Sequence, residues 1–349
     1  MSKPVRIGII GAGGIVKSRH LPALQAMPEV EIVAICNSSM ASSRDFCDTH
    51  APGAEPMANW WELASREDVN VVWIGATPYM HSEATVYALK SGKHVFCQAR
   101  MARSLAEAQL MWEASISNPE LVAALCPPPQ GMRGDATMKR LLREGAIGRV
   151  HQVRLNSLSG NWLDPAAPAH WRQRVEISGL QVLTFGIYVE VIQRWLGDIV
   201  CVQADGAVVT PVRDGYTVDV PDFLHVLCAF RNGARGSLSF SGVASHPPQD
   251  SIEIYGNEGT LTYNFVTDEI RLGRRGASDG RGVGGQMEVI PIPPDEVKEW
   301  TVERDFVNAV LDKNAPRPKP DFLEGIKYMR VVQAAAEALE SGELVRVAA

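Results

Sequence analysis

The sequence predicts an α/β protein in two parts. A doubly wound parallel sheet comes first, and an α/β domain with a large open, mostly antiparallel sheet follows. Three observations carry this. Apolar strands alternate with helices from Val5 to about Leu125. The proline run Cys126-Pro127-Pro128-Pro129 then breaks the alternation. Beyond Val200, short apolar stretches separated by turn residues replace it, which is the spacing of antiparallel strands. We therefore expect domains at 1–125 and 126–349.

The first strand, Val5 to Ile10, is rich in β-branched isoleucine and runs into Gly11-Ala12-Gly13-Gly14-Ile15. Gly11 and Gly13 allow a tight turn and the close approach of a pyrophosphate. The helix from about Ile15 to Leu24 aims its free N–H groups at that phosphate. The third position of this fingerprint is Val16, where a small residue normally sits. The second strand, Val30 to Cys36, ends at Asn37-Ser38-Ser39. In a Rossmann unit an acid there bonds the ribose of NAD and repels the 2′-phosphate of NADP. No acid is present. Asn37, Ser38 and the nearby Arg44 offer donors to a phosphate, so NADP is read ahead of NAD. The alternative is that Asn37 and Ser38 merely cap the next helix.

A short helix at Asn59 to Leu63 precedes the buried strand Asn70 to Ile74, which ends at Thr77-Pro78. His81 opens a helix that Ser91-Gly92 terminates. The strand from His94 to Cys97 ends at Gln98-Ala99-Arg100. Ligands bind such sheets at the carboxyl ends of their strands, here Gly11, Asn37, Thr77 and Gln98. After the proline run we expect a helix (Ala136 to Glu144), a strand (Val150 to Leu155), a polar loop (Asn156 to His170) and a helix (Gly179 to Leu196). Five strands follow between Val200 and Phe265, then a glycine-rich mobile loop (Arg274 to Gly285) and helices at Val297 to Leu311 and Asp321 to Glu340.

Composition narrows the function. The 349 residues, 46% hydrophobic and 21% charged, suit two soluble domains with sizeable cores. A net charge of −6 argues against nucleic acid or an anionic membrane as partner. No apolar run approaches the roughly 18 residues of a membrane span. Met1-Ser2-Lys3-Pro4 enters a strand at once, so no signal peptide is expected. The six cysteines form no Cys-x-x-Cys pair, which suggests reduced thiols in a cytoplasmic protein without structural zinc. The eight histidines lack ligand spacing, so no metal is expected.

At this point the chain resembles the glucose–fructose oxidoreductase / inositol dehydrogenase / MocA family. The motifs are the glycine turn, Arg19-His20-Leu21-Pro22-Ala23-Leu24, Thr77-Pro78 with His81, and Gly92-Lys93-His94-Val95. Further on come Gly145 to Val150, Trp171-Arg172, Ile254-Tyr255-Gly256, Glu258-Gly259-Thr260-Leu261 and Asp305-Phe306. The resemblance implies a Rossmann domain and an open-sheet domain through which dimers or tetramers form. It also implies a last helix packed back on the first domain. The cofactor would be met by Gly11, Gly13, Gly14, Ile15, Asn37, Ser38, Thr77, Pro78, His81 and Gln98, with Trp171 and Arg172.

The likeness stops at the reacting centre. The family's usual Glu-Lys-Pro is Gln98-Ala99-Arg100 here, and its usual Asp and His, four residues apart on a helix, match Thr184 and Tyr188. An alcohol oxidation needs a group to take the hydroxyl proton. Tyr188 is the first candidate, aided by the cation Arg100, and otherwise packs with its hydroxyl bonded locally. His170 is the second candidate, against the more common satisfied histidine. Thr184 either bonds substrate or its own helix. Gln98 keeps the reach of the family glutamate and is placed against the nicotinamide ribose. Trp162 and Asn156 are pocket candidates, and Asp164 reads equally as a turn residue. Three functions are open: an NAD(P)-dependent oxidoreductase of sugars, cyclitols or other small polar alcohols and carbonyls; a lyase or hydrolase with a retained cofactor; and a sensor without catalysis.

Overall fold

In this computed structural model, residues 4–128, 132–276 and 286–348 are described. Six strands open the chain: Val5–Ile10 (β1), Val30–Cys36 (β2), Glu55–Met57 (β3), Val71–Ile74 (β4), His94–Cys97 (β5) and Ala123–Leu125 (β6). They form one parallel sheet in the order β3-β2-β1-β4-β5-β6. All four residues of β4 are buried, as are Ile7 and Ile9 of β1. Strands covered on both faces read as continuous apolar runs, which is why this sheet was visible in the sequence. On the core side, Trp73 stacks on Phe96 at 3.8 Å between ring centres, with the Phe306 ring edge-on to both.

The helix after the glycine turn contains a π-turn, Val16–His20, before continuing as Leu21–Gln25. The turn leaves Val16 and His20 buried. Val16 is tolerated at the third fingerprint position because residue 75 is glycine. A Cβ on Gly75 would meet Val16 Cγ2 at 2.2 Å and Gly11 O at 2.6 Å.

The later strands are Val150–Leu158 (β7), Ile199–Ala207 (β8), Val212–Arg213 (β9), Tyr216–Thr217 (β10), Phe223–Phe230 (β11) and Arg235–Ser241 (β12). Ser251–Gly256 (β13), Gly259–Asn264 (β14), Ile270–Arg274 (β15), Glu288–Ile290 (β16) and Val345–Arg346 (β17) complete them. Nine form a sheet in the order β16-β15-β14-β13-β7-β12-β11-β8-β17. Among the described residues, only its β7–β12 pair is parallel. The helix Phe185–Leu196 lies on this sheet. Phe185 meets Phe240 of β12, and Trp195 meets Tyr263 of β14, each at 5.5 Å between ring centres.

The chain divides into two compact units. The first is the segment to Pro127 with Glu176–Gly179 and Thr301–Met329; the second is Pro128–Val175, Leu180–Trp300 and the chain from Arg330. Among the described residues no helix is long and apolar enough to cross a membrane.

Three expected boundaries move. The helix expected from Gly179 begins at Phe185, because Gly179 and Leu183 take left-handed backbone (φ of 61° and 48°) and break it. Strand β7 runs on to Leu158, held by its pairing with β12. The helix expected from Val297 begins at Val302. The expected mobile loop falls largely on 277–285, outside the described residues.

Candidate active site

The first unit carries the glycine turn. Gly11 sits at φ 80°, and a Cβ there would meet the Ala76 backbone at 2.5 Å, so only glycine fits. Gly13 and Gly14 are exposed, and a Cβ on either would meet nothing within 4 Å. That open side, with the first helical N–H groups at Gly14 and Ile15, is the shape a pyrophosphate requires. The residues present therefore fit a dinucleotide.

Asn37 is engaged on both ends of its amide. Its Oδ1 accepts the Ala12 N–H at 2.7 Å and its Nδ2 donates to Ser42 O at 3.2 Å. The helix Met40–His50 is capped instead by Ser39, in a capping box with Ser42. Ser38 and Arg44 are exposed beside it. Thr77 heads a short turn, Pro78–Met80, without capping it through its side chain. His81 is fully buried, its Nδ1 2.7 Å from Arg100 O and its Nε2 2.9 Å from Ala76 O. It ties the segment after β4 to the segment after β5. Burial pulls its pKa below the ordinary value.

Gln98 closes β5. Its Oε1 accepts the Ala99 N–H at 3.2 Å and its Nε2 meets His20 Nε2. A donating amide there leaves the ring proton on His20 Nδ1, which gives it to Glu303 Oε1. This buried Gln98–His20–Glu303 chain was not foreseen. Arg100 is only 1% exposed and its Nη2 lies 3.5 Å from Ser178 Oγ.

The second unit holds a cavity of about 760 Å³. Ser157, Ser159, Asn161 and Ser241 give it hydroxyl and amide groups, and Trp162 gives it an indole face. His170, Arg172, Thr184 and Asp250 also line it. Trp162 is fixed by its backbone N–H on Gly242 O at 2.8 Å and by Arg213, which donates to Trp162 O at 2.6 Å. His170 Nδ1 accepts the Arg172 N–H at 3.1 Å, capping the turn Trp171–Gln173. The Arg172 guanidinium lies 4.2 Å over the Trp171 ring, and burial pulls its pKa down.

Asp250 organises the polar end of this cavity. Its Oδ2 accepts the Tyr188 hydroxyl and the Ser157 hydroxyl, each at 2.7 Å, and its Oδ1 accepts the Leu158 N–H at 3.2 Å. Thr184 Oγ1 lies 3.0 Å from Ser157 Oγ. Thr184 thus bonds across to β7. Tyr188 is 2% exposed and stands behind Asp250, not in the cavity wall. Burial first, then the Asp250 charge and the bond to it, push its phenol far above 10. Tyr188 therefore stays protonated and donates.

The cavity so brings together His170, Arg172, Thr184 and Trp162 of the expected residues, and leaves out Asn156 and Asp164. Asp164 Oδ1 accepts the Ala166 N–H at 2.9 Å, as a turn residue does. Sequence reading missed Asp250 and Ser157. No spacing rule joins them, and only the pairing of Asn156 with Ser251 brings them together. Among the described residues no cluster of three or more His, Cys, Asp or Glu could hold a metal ion.

Fold and glycine turn together define a dinucleotide-binding protein with an attached open-sheet domain. Residues 5–124 match the oxidoreductase family with an NAD-binding Rossmann fold, and residues 136–262 match the GFO/IDH/MocA C-terminal domain. The chain belongs to the Gfo/Idh/MocA family. Levoglucosan dehydrogenase of Pseudarthrobacter phenanthrenivorans is 26% identical, with 77% of this chain and 76% of that protein covered. A dTDP-3,4-didehydro-2,6-dideoxy-alpha-D-glucose 3-reductase of Actinomadura kijaniata is 28% identical over 90% of each. In fold, the chain superposes on levoglucosan dehydrogenase in complex with NADH with a TM-score of 0.84, at 23% identity over 99% of each chain.

Proposed function

We propose that this chain is an NAD(P)-dependent oxidoreductase of sugars, cyclitols or other small polar alcohols and carbonyls. The observation that carries the reading is one chain holding both an open-faced glycine turn and a cavity walled by hydroxyls, amides and an indole. The hydroxyls suit a polyol, and the Trp162 face suits the apolar side of a sugar ring. The named activities of its relatives, on levoglucosan and on deoxysugar nucleotides, support a sugar-like substrate.

A nicotinamide dinucleotide, when bound, supplies the hydride acceptor. Gly13, Gly14 and Ile15 would receive its pyrophosphate. Asn37 spends its Oδ1 and one amide hydrogen on the chain itself, which leaves the second amide hydrogen, Ser38 and Arg44 as donors to a 2′-phosphate. With no acid at the end of β2, the reading stays with NADP ahead of NAD. Gln98, steadied by His20 and Glu303, would present a fixed amide at the end of β5. Arg100 and His81, both buried, serve to hold the segments that follow the strands. We also read the protein as a cytoplasmic homodimer or homotetramer, which light scattering of the purified protein tests.

The testing experiment is a titration with NAD, NADH, NADP and NADPH, read by quenching of the eight tryptophans. A panel of anhydrosugars, cyclitols and aldoses, followed at the reduced-nicotinamide band, comes next. Binding with turnover supports the reading. Tight binding with no turnover on the panel moves it to a sensor, and no binding of any form ends it.

A further inference from the structure

The family's usual carboxylate position is Thr184 here and its usual histidine position is Tyr188, so a reader of the sequence finds no obvious base. In the folded chain a carboxylate nevertheless reaches the same group of side chains. Asp250 arrives from the segment before β13 and not from the helix Phe185–Leu196. It contacts Ser157, which contacts Thr184, and it accepts the hydroxyl of Tyr188. Asp250 lines the cavity and Tyr188 does not.

We propose that Asp250 is the proton acceptor for a substrate hydroxyl bound in the cavity, with Tyr188 and Ser157 as the residues that position its carboxylate. This rests on the oxidoreductase reading above. The geometry supports it in three ways. The carboxylate cannot swing away, because its two oxygens take three hydrogen bonds, one of them from the Leu158 backbone. Its own backbone is fixed, since Asp250 O accepts the Phe265 N–H at 2.9 Å. The Tyr188 ring is held in turn by Phe265 and Phe240 at 4.8 and 6.1 Å between ring centres. A base held in one orientation inside a cavity meets the geometric requirement of general base catalysis.

The substrate O–H bond breaks and a new O–H bond forms on an Asp250 carboxylate oxygen. A nicotinamide, when bound, would supply the acceptor for the hydride that the neighbouring carbinol C–H gives up with its electron pair, and a carbonyl would remain. Asp250 then releases its proton to solvent through the cavity. In the reverse direction protonated Asp250 gives the proton to the new alkoxide.

Other charged or titratable groups face this region: Tyr188 from the helix, His170 and Arg172 from the turn Trp171–Gln173 and its cap, and Arg213 from β9. The test must separate Asp250 from them. Asp250→Asn, Asp250→Glu and Tyr188→Phe are compared with wild type for NADH affinity, thermal midpoint and NADH formation on the same panel across pH. Asp250→Asn keeps the side chain's shape, so folding and NADH affinity should stay within twofold of wild type.

The expected result is a fall in kcat of at least about 100-fold for Asp250→Asn. Asp250→Glu should recover part of the rate. Tyr188→Phe should lose less than about 10-fold. A second readout needs no substrate. The ultraviolet difference spectrum of wild type against Asp250→Asn at neutral pH should show a tyrosine band shifted to the blue in the variant, because the Tyr188 hydroxyl no longer donates to a carboxylate. A smaller fall for Asp250→Asn, an equal fall for Tyr188→Phe, or an unmoved tyrosine band overturns the proposal while the oxidoreductase reading stands. Absence of dinucleotide binding, or of any turnover by wild type, removes both together.

Discussion

Asn37 Oδ1 accepts the Ala12 N–H at 2.7 Å, so one side chain ties the end of β2 to the glycine turn. The same amide donates to Ser42 O. Asn37→Asp keeps the acceptor, loses the donor and adds a negative charge where an adenosine ribose would lie. The ratio of NADPH to NADH dissociation constants should rise at least about 10-fold. Tryptophan-quenching titrations with both nucleotides measure it, and an unchanged ratio would show that the ribose does not reach Asn37.

Val16 and Gly75 share one small volume. Gly75→Ala would drive a methyl to 2.2 Å from Val16 Cγ2 and 2.6 Å from Gly11 O, so it should cost about 1–3 kcal/mol. Pairing it with Val16→Ala should restore only part, because the Gly11 carbonyl remains. Urea unfolding of the single and double variants reads both values. Full recovery in the double variant would mean that the Gly11 contact is harmless.

His94 makes stability depend on pH. Its Nδ1 accepts the Val122 N–H at 2.8 Å. Burial, followed by the nearby Arg317 charge, pulls its pKa from the ordinary 6.5 down to about 4. The unfolded chain therefore takes up the proton first. The contribution is complete above about pH 6.5 and is lost as pH falls toward 4, at up to about 1.4 kcal/mol per pH unit. His94→Gln can still accept from Val122 and should flatten that part of the curve. Urea midpoints between pH 7 and about 4 decide it; parallel curves would assign the acid loss to other groups.

Glu303 receives the His20 proton at a fully enclosed position. Glu303→Ala leaves that donor buried without its acceptor and should cost about 1–3 kcal/mol. Glu303→Gln retains an acceptor oxygen and should cost less. Equal losses, read from chemical unfolding, would locate the stabilisation in the charge and not in the hydrogen bond.

The two sheets were legible because their strands announce themselves locally: β4 is apolar throughout and the later strands are punctuated by turns. The glycine turn was legible for the same reason. The helix start was not, because Leu183 adopts a left-handed backbone that its side chain gives no warning of. The π-turn at Val16–His20 and the inward placement of His20 were equally silent. At the candidate site, Thr184 and Tyr188 could be paired by helical spacing. Asp250 could not, since its partners are distant in sequence: Ser157 is joined to it by sheet register, and Tyr188 by the packing of the helix Phe185–Leu196 on the sheet.

The parallel pair β7–β12 places Gln152 against Arg235 and Leu158 against Ser241. A hairpin such as β11–β12 closes a short loop, but this pair must close a long one before any bond repays the entropy. The wall of the cavity, with Ser157 on β7 and Asp250 before β13, exists only after such long-range closures. If those closures follow the folding transition state, a ligand of the cavity grips contacts that this state has not yet made. It is expected to prolong the life of the native state while leaving the refolding rate where it was.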